Sequence, residues 1–163
     1  MFGFMACKKS TSSAPVNPNP NITINDTSTD LTNLSKAFYT FGGAYTNDSL
    51  VIINSNSTDS SVINSQSNTN NISGSTNYLL LSIYSNKSIS DKTTYSSNIV
   101  VSASFQLKGI RYQSSPTLPT SITVDESNSN YISGSYRSQV FNVTNNLDRT
   151  YPTITGRFKA YFH

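Results

Sequence analysis

The residue in this sequence best suited to a covalent reaction is Cys7, which is its only cysteine. It follows Met5 and Ala6 and precedes Lys8, Lys9 and a tract rich in Ser, Pro and Asn. Peptidases that process lipoprotein signals require a small residue directly before the modified cysteine, because that side chain fills a tight pocket. A lone cysteine also cannot form a disulfide within the chain. We therefore expect the Cys7 thiol to carry a diacylglycerol group.

The segment before Cys7 is shorter than a complete secretory signal. Such a signal needs a charged start and roughly 7–15 apolar residues, whereas six residues precede Cys7. The sequence thus predicts a true start codon upstream of Met1. The alternative is that translation begins at Met1, in which case Cys7 is an incidental thiol and export does not follow.

Residues for catalysis are scarce. The only histidine is His163 at the chain end and the only glutamate is Glu126, whereas a Ser-His-Asp or Cys-His system needs a rigidly held histidine. Asp125 and Glu126 are adjacent on a predicted strand, so they should point to opposite faces and could not act on one glycosidic bond. We expect Glu126 to contact Arg137 instead. No His/Cys cluster or calcium-loop pattern occurs in the sequence, so it predicts no enzyme, metal or cofactor.

The charge pattern argues against nucleic-acid binding. The chain carries 11 cationic and 8 acidic side chains, for a net charge of +3, and they are dispersed rather than clustered on one basic face. The densest pair is Lys8 and Lys9, which would lie beside anionic headgroups and contribute about 1 kcal/mol each. We therefore expect a membrane partner and no nucleic acid.

Three surfaces could bind a ligand. The first is the outer face of the last strand, where Arg157, Lys159 and Tyr161, with Arg137 or Arg111, could meet an anionic glycan or protein; the alternative is an ordinary solvated sheet face. The second is a sugar-stacking platform formed by Tyr84, Tyr95 or Tyr112. The third is an unprotected edge strand that could assemble with another protein. A glycan ligand predicts exposed tyrosines aligned in one groove, whereas assembly predicts a bare, flat edge.

The composition predicts the elements that must position these residues. Charged residues make up 12% of the chain, which also has 8 Phe and 10 Tyr, and aromatic and β-branched residues favour strands. Period-two alternation predicts strands at 49–54, 78–85, 98–107, 121–126, 131–143 and 153–162. Of these, 49–54 is a short continuous apolar run, which fits a strand covered on both faces, and 78–85 suits a central strand. The fold predicted is all-β, a mostly antiparallel β-sandwich of about seven to eight strands.

Two segments are ambiguous. Residues 31–45 fit either a helical stripe ending at Gly42 or a strand from about Lys36, and we favour the strand. Residues 55–75 are rich in Asn and Ser, which predicts a long loop with a short strand at Val62 and Ile63. The sequence thus divides into a signal remnant at 1–7, a flexible tether at 8–28 and a β-sandwich domain at 29–163.

The C-terminal third contains three short motifs: Ser121-Ile-Thr-Val-Asp-Glu126, Tyr131-Ile-Ser-Gly-Ser-Tyr136 and Ile154-Thr-Gly-Arg-Phe158. An Asn-Ile-Ser-Gly phrase at 71–74 echoes the second. These motifs and the Ala6-Cys7-Lys8-Lys9 leader resemble those of small, uncharacterised lipoproteins of Bacteroidetes-type bacteria. The chain departs from them in its missing signal core and in Ser135-Tyr136, where members commonly have Thr-Phe. The resemblance implies a β-sandwich exposed at the cell surface or in the periplasm, and it supplies no catalytic residues.

The combined expectation is a non-enzymatic lipoprotein of the bacterial outer membrane, periplasmic or surface-exposed, that binds a ligand or a protein. The alternative is a carbohydrate-binding or adhesin-like module at the cell surface. Cys7 would be the site of lipid attachment, and Arg137, Arg157, Lys159 and Tyr161 would form the binding surface.

Overall fold

The computed structural model describes residues 19–42, 47–58, 76–96, 100–145 and 147–162. This part of the chain forms eleven strands and contains no helix. The strands are β1 (Asn21–Ile24), β2 (Thr27–Asp30), β3 (Leu34–Thr40), β4 (Asp48–Ser55), β5 (Tyr78–Ser85), β6 (Thr93–Tyr95), β7 (Val101–Leu107), β8 (Ile110–Ser114), β9 (Thr120–Ser127), β10 (Tyr131–Asn142) and β11 (Thr153–Phe162). Cys7, His163, the short strand predicted at Val62 and the echo motif at 71–74 lie outside the described residues.

Hydrogen bonds join the strands into one sheet that closes on itself. The order is β2-β1-β11-β3-β4-β5-β7-β8-β10-β9-β6, and a further pairing of β10 with β11 completes the closure. Every pair is antiparallel except β11 with β3. One edge of β11 pairs with both β1 and β3, and one edge of β10 pairs with both β9 and β8. The strands therefore form two layers, β2-β1-β11-β10-β9-β6 and β3-β4-β5-β7-β8, which join at these two corners.

The predicted all-β, mostly antiparallel class is confirmed, and the strand count is higher than expected. The additional strands are short: β1 and β2 have four residues each and β6 has three. Of the tether predicted at 8–28, the described residues 19–28 contain β1 and the first two residues of β2, so this part is a hairpin rather than a flexible segment. Ile22 faces the core and is fully buried, and Asn25 and Asp26 both adopt positive φ angles in the turn that joins the two strands.

The main core lies between the two layers. Ring centroids of Phe105 on β7 and Tyr136 on β10 lie 5.5 Å apart across it. Burial of each large aliphatic side chain contributes about 1.5–3 kcal/mol. The apolar side chains with no exposed surface in this core are Ile22, Leu31, Leu50, Ile52, Leu79, Leu81, Ile83, Phe105, Ile122, Val124, Val140, Ile154 and Ala160.

A second apolar cluster lies on the opposite side of β3, β4 and β5. Leu34, Ile53, Tyr78 and Leu80 are buried there, with Phe38 and Val51 packed against them. This arrangement confirms the prediction that the strand at 49–54 is covered on both faces. The strand at 78–85 lies between β4 and β7, as predicted for a central strand. The strand favoured within 31–45 is also confirmed, as β3, although it begins at Leu34 rather than about Lys36.

Two glycine–aromatic pairs hold β10 against β11. Gly134 is paired with Phe158, and Tyr136 is paired with Gly156. A Cβ atom at Gly134 would lie 2.0 Å from the Thr123 carbonyl oxygen and 2.7 Å from Cζ of Phe158. Each aromatic ring thus occupies the space that a side chain on the opposite glycine would fill. The two Gly-x-aromatic motifs of the C-terminal third therefore have a packing role in the core.

Candidate functional site

The outer face of β10 and β11 carries all four residues predicted to form a binding surface. Side chains alternate between the two faces of a strand, and the inward residues of β10 and β11 include Tyr136 and Phe158. Lys159 is paired with Ser133, and Arg157 is paired with Ser135. We call this surface the outer β10–β11 face.

Lys159 is the centre of an aromatic cluster on this face. Its Nζ atom lies 4.3 Å from the ring centroid of Tyr131 and 5.7 Å from that of Tyr161. The two tyrosine rings pack edge to face, with centroids 6.2 Å apart. A cation over an aromatic ring is stabilised by about 0.5–1 kcal/mol at exposed sites. Tyr161 is 45% exposed, so this cluster is accessible to a ligand.

Tyr131 was not among the residues predicted for the site. Its position follows from the register, since β10 and β11 are antiparallel and Tyr131 is paired with Tyr161. A hydrogen bond to Glu126, with burial second, raises the pKa of Tyr131 above its usual value. The Tyr131 hydroxyl and the Glu126 carboxylate therefore lie close enough to interact on the outer β10–β11 face.

Asp125 and Glu126 do not lie on opposite faces, which corrects the prediction from strand alternation. A bulge in the β9–β10 pairing occurs opposite Ser133 and Gly134, and a bulge places two residues opposite one. The Asp125 carboxylate accepts a hydrogen bond of 2.8 Å from Nη2 of Arg157 on the outer β10–β11 face. Glu126 interacts with Tyr131, so the expected contact between Glu126 and Arg137 is also wrong.

The charge of Arg157 is therefore already partnered. Its side chain is 30% exposed and that of Asp125 is 42% exposed, so the pair is screened by water and contributes little to stability. The backbone N–H of Arg157 donates to Oδ1 of Asn21, at 2.9 Å. Arg157 consequently fixes the geometry of the face rather than offering a free cation.

The guanidinium of Arg137, in contrast, makes no hydrogen bond or ion pair with the side chains or backbone of the described residues. It lies in a groove of about 520 Å³ beside β9 and the start of β11. The hydroxyls of Thr120 and Ser138 form a buried hydrogen bond of 2.8 Å next to this groove. The residues that line it are Ser96, Pro119, Thr120, Ser121, Arg137, Gln139 and Thr153.

A second groove of about 430 Å³ adjoins the first at the next outward position of β10. Gln139 lines the first groove, and its Nε2 atom donates to the carbonyl oxygen of Tyr151, at 3.2 Å. Tyr151 lines the second groove, together with Phe141, Asp148 and Arg149. The two grooves thus follow the outward row Arg137, Gln139 and Phe141.

The tyrosine platform suggested for Tyr84, Tyr95 and Tyr112 does not form. Tyr84 is exposed on β5, whereas Tyr95 belongs to the core and its hydroxyl accepts a hydrogen bond of 3.0 Å from the Ser90 backbone N–H. Tyr112 lies on β8 and packs against the core. On the outer β10–β11 face, the exposed Tyr161 instead packs against the half-buried Tyr131.

A bare edge for assembly is not prominent among the described strands. The outermost strands in the sheet order are β2 and β6, with four and three residues. The long strands β10 and β11 each have neighbours along both edges. The described geometry therefore favours the outer β10–β11 face over edge pairing as the binding surface.

Within the described ranges, no three His, Cys, Asp or Glu side chains converge to hold a metal ion. The same residues include no helix of the length and apolarity that a membrane span requires. Comparison of the chain with protein-family models, curated proteins and solved structures gave no match.

Proposed function

We propose that this chain is a non-enzymatic lipoprotein of the bacterial outer membrane that binds a ligand through the outer β10–β11 face. The leader supports the anchor, because Cys7 directly follows Ala6 and precedes two lysines. The closed sheet supports the binding role, since residues on paired strands are held more firmly than residues on loops.

The observation that carries the binding role is the cluster of Lys159, Tyr131 and Tyr161 on the outer β10–β11 face. Farther along β10, the side chain of Arg137 has no partner among the described residues. Aromatic faces stack on the apolar faces of sugar rings, and the flanking Ser133 and Ser135 are small and polar. This arrangement favours a glycan as the ligand, in a carbohydrate-binding or adhesin-like module at the cell surface. A protein with an acidic patch is the second candidate, because the same cations would meet it.

The anchor is tested by intact mass. The gene is expressed with its upstream DNA in a related bacterium, with and without the Cys7→Ala change. We expect a diacylglyceryl-type mass on a chain beginning at Cys7, and we expect the variant to lack it. An unmodified chain beginning at Met1 would refute the anchor and the outer-membrane location.

The binding role is tested separately with the full chain carrying Cys7→Ala, so that lipid does not interfere. The labelled protein is applied to an array of neutral and acidic oligosaccharides, beside the Lys159→Gln and Tyr161→Ala variants. We expect binding that both variants weaken and that a distant control, Lys87→Gln, preserves. Binding that survives both site variants would remove the cluster of Lys159, Tyr131 and Tyr161 as the binding site.

A further inference from the structure

We infer that the ligand is an oligosaccharide bearing a carboxylate, and that it lies along the two adjoining grooves beside Arg137, Gln139 and Phe141 of β10. This inference rests on the proposed binding function and adds the ligand class and its place on the domain. Alternate residues of a strand lie about 6.5–7 Å apart. The row therefore presents a cation, an amide and an aromatic ring in sequence along one extended ligand.

The carboxylate is assigned to the groove of about 520 Å³ because Arg137 is the available cation there. Asp125 already pairs with Arg157, and Lys159 lies over aromatic rings, whereas Arg137 has no partner among the described residues. A guanidinium matches a carboxylate with two parallel hydrogen bonds, and such charge-assisted bonds are stronger than neutral ones. The neighbouring hydroxyls of Ser121 and Thr153 can bond to sugar hydroxyls.

The rest of the ligand is assigned to the groove of about 430 Å³ by its different chemistry. Tyr151 is 44% exposed and lines this groove with Phe141, which provides aromatic surface for a sugar ring. Asp148 also lines it, and its carboxylate accepts hydrogen bonds from Oγ1 and N of Thr150, at 2.6 and 2.9 Å.

The orientation of the oligosaccharide in the two grooves follows from the charged residues that line them. An ionised Asp148 repels a second carboxylate but accepts hydrogen bonds from sugar hydroxyls. Asp148 offsets the charge of Arg149, which lines the same groove, whereas no carboxylate of the described residues lines the groove of Arg137. The acidic group should therefore point toward Arg137 and a hydroxyl-bearing ring toward Asp148. An acidic peptide would satisfy Arg137 equally well, but it would have fewer hydroxyls to donate to Asp148.

The experiment measures binding of uronate tetrasaccharides by titration calorimetry to the full chain carrying Cys7→Ala. Tetrasaccharides with one terminal glucuronate or galacturonate and three neutral sugars are each compared with their methyl esters, which keep the sugar rings and remove the charge. We expect at least one acid to bind about tenfold more tightly than its ester, the size of one charge-assisted hydrogen-bond pair. Arg137→Gln should abolish that difference, and Tyr151→Ala should weaken acid and ester alike.

Lys87→Gln is the matched control, since it removes one exposed cation in the connection between β5 and β6. The inference is overturned if no uronate binds or if Arg137→Gln leaves the acid preference intact. It is also overturned if an acidic tetrapeptide binds as tightly with the same dependence on Arg137. A neutral glycan that binds through Lys159 and Tyr161 would overturn only this inference and leave the proposed binding function standing. Loss of all glycan binding would remove both.

Discussion

The replacement Gly156→Ala should destabilise the domain strongly, although it adds only one methyl group. A Cβ atom at this position would lie 2.0 Å from the carbonyl oxygen of Asn21 and 2.6 Å from the hydroxyl oxygen of Tyr136. The first neighbour is backbone, so β1 as a whole would have to move away from β11. The second is a buried side chain whose hydroxyl donates to that same carbonyl, at 2.8 Å.

The expected loss in the free energy of unfolding has two parts. Overpacking a well-filled core costs about 1–3 kcal/mol. Movement of β1 also leaves the buried Tyr136 hydroxyl without its acceptor, which costs about another 1–3 kcal/mol. The expected loss is therefore about 4 kcal/mol, a large share of the roughly 5–15 kcal/mol by which a typical domain is stable. The melting temperature should fall by about 10 °C in a chain of this size.

The measurement is urea unfolding followed by circular dichroism or tyrosine fluorescence, since the chain has no tryptophan. Thr155→Ala is the matched control, because Thr155 is the outward neighbour of Gly156 on the same strand. It should change the free energy of unfolding by less than about 1 kcal/mol. A Gly156→Ala protein within about 0.5 kcal/mol of the parent would refute the packing role assigned to this glycine.

Three further outcomes are expected. Arg157→Gln should lower the free energy of unfolding by less than about 1 kcal/mol, because its ion pair with Asp125 is exposed; urea titration at low and high salt measures this. Burial raises the pKa of Tyr136 well above 10. The contribution of the neutral Tyr136 hydroxyl to the free energy of unfolding is therefore complete below pH 10. Above pH 10 this contribution falls, by up to about 1.4 kcal/mol per pH unit. Tyr136→Phe should flatten that alkaline loss in urea titrations across pH 9–12. The hydroxyl and backbone N–H of Thr150 lower the pKa of Asp148, and Thr150→Val should raise it in a carboxyl-carbon NMR titration.

The sequence was sufficient to predict the central strands, because alternation and apolar runs are local signals. β4 was predicted to be covered on both faces because its sequence is a continuous apolar run, and β5 was predicted to be a central strand. The short strands β1 and β2 were missed because their sequence lacks such a local signal. Ile22 and Ile24 lie among Thr, Asn and Asp, and this composition is also typical of a tether. β1 becomes a strand by pairing with β11, a contact between distant parts of the chain, and β2 pairs in turn with β1.

The sequence could predict only which residues of the site share a face of one strand. Because side chains alternate between the two faces of a strand, Arg157, Lys159 and Tyr161 were predicted to share one face of β11, and they do in the structure. The partners on neighbouring strands depend on register, which a single strand does not reveal. Tyr131 was therefore missed, and the bulge in β9 overturned the expected positions of the two adjacent carboxylates.

The inward glycines and the outward site are linked by that same register. The pairing that places Tyr136 over Gly156 inside the core also places Tyr131 beside Tyr161 outside. A slip of one residue would reverse the faces and carry Lys159 into the core. A Gly-x-aromatic motif can therefore be required for binding without any contact to the ligand. Substitutions of its glycines should reduce binding and stability together, whereas Lys159→Gln should reduce binding alone.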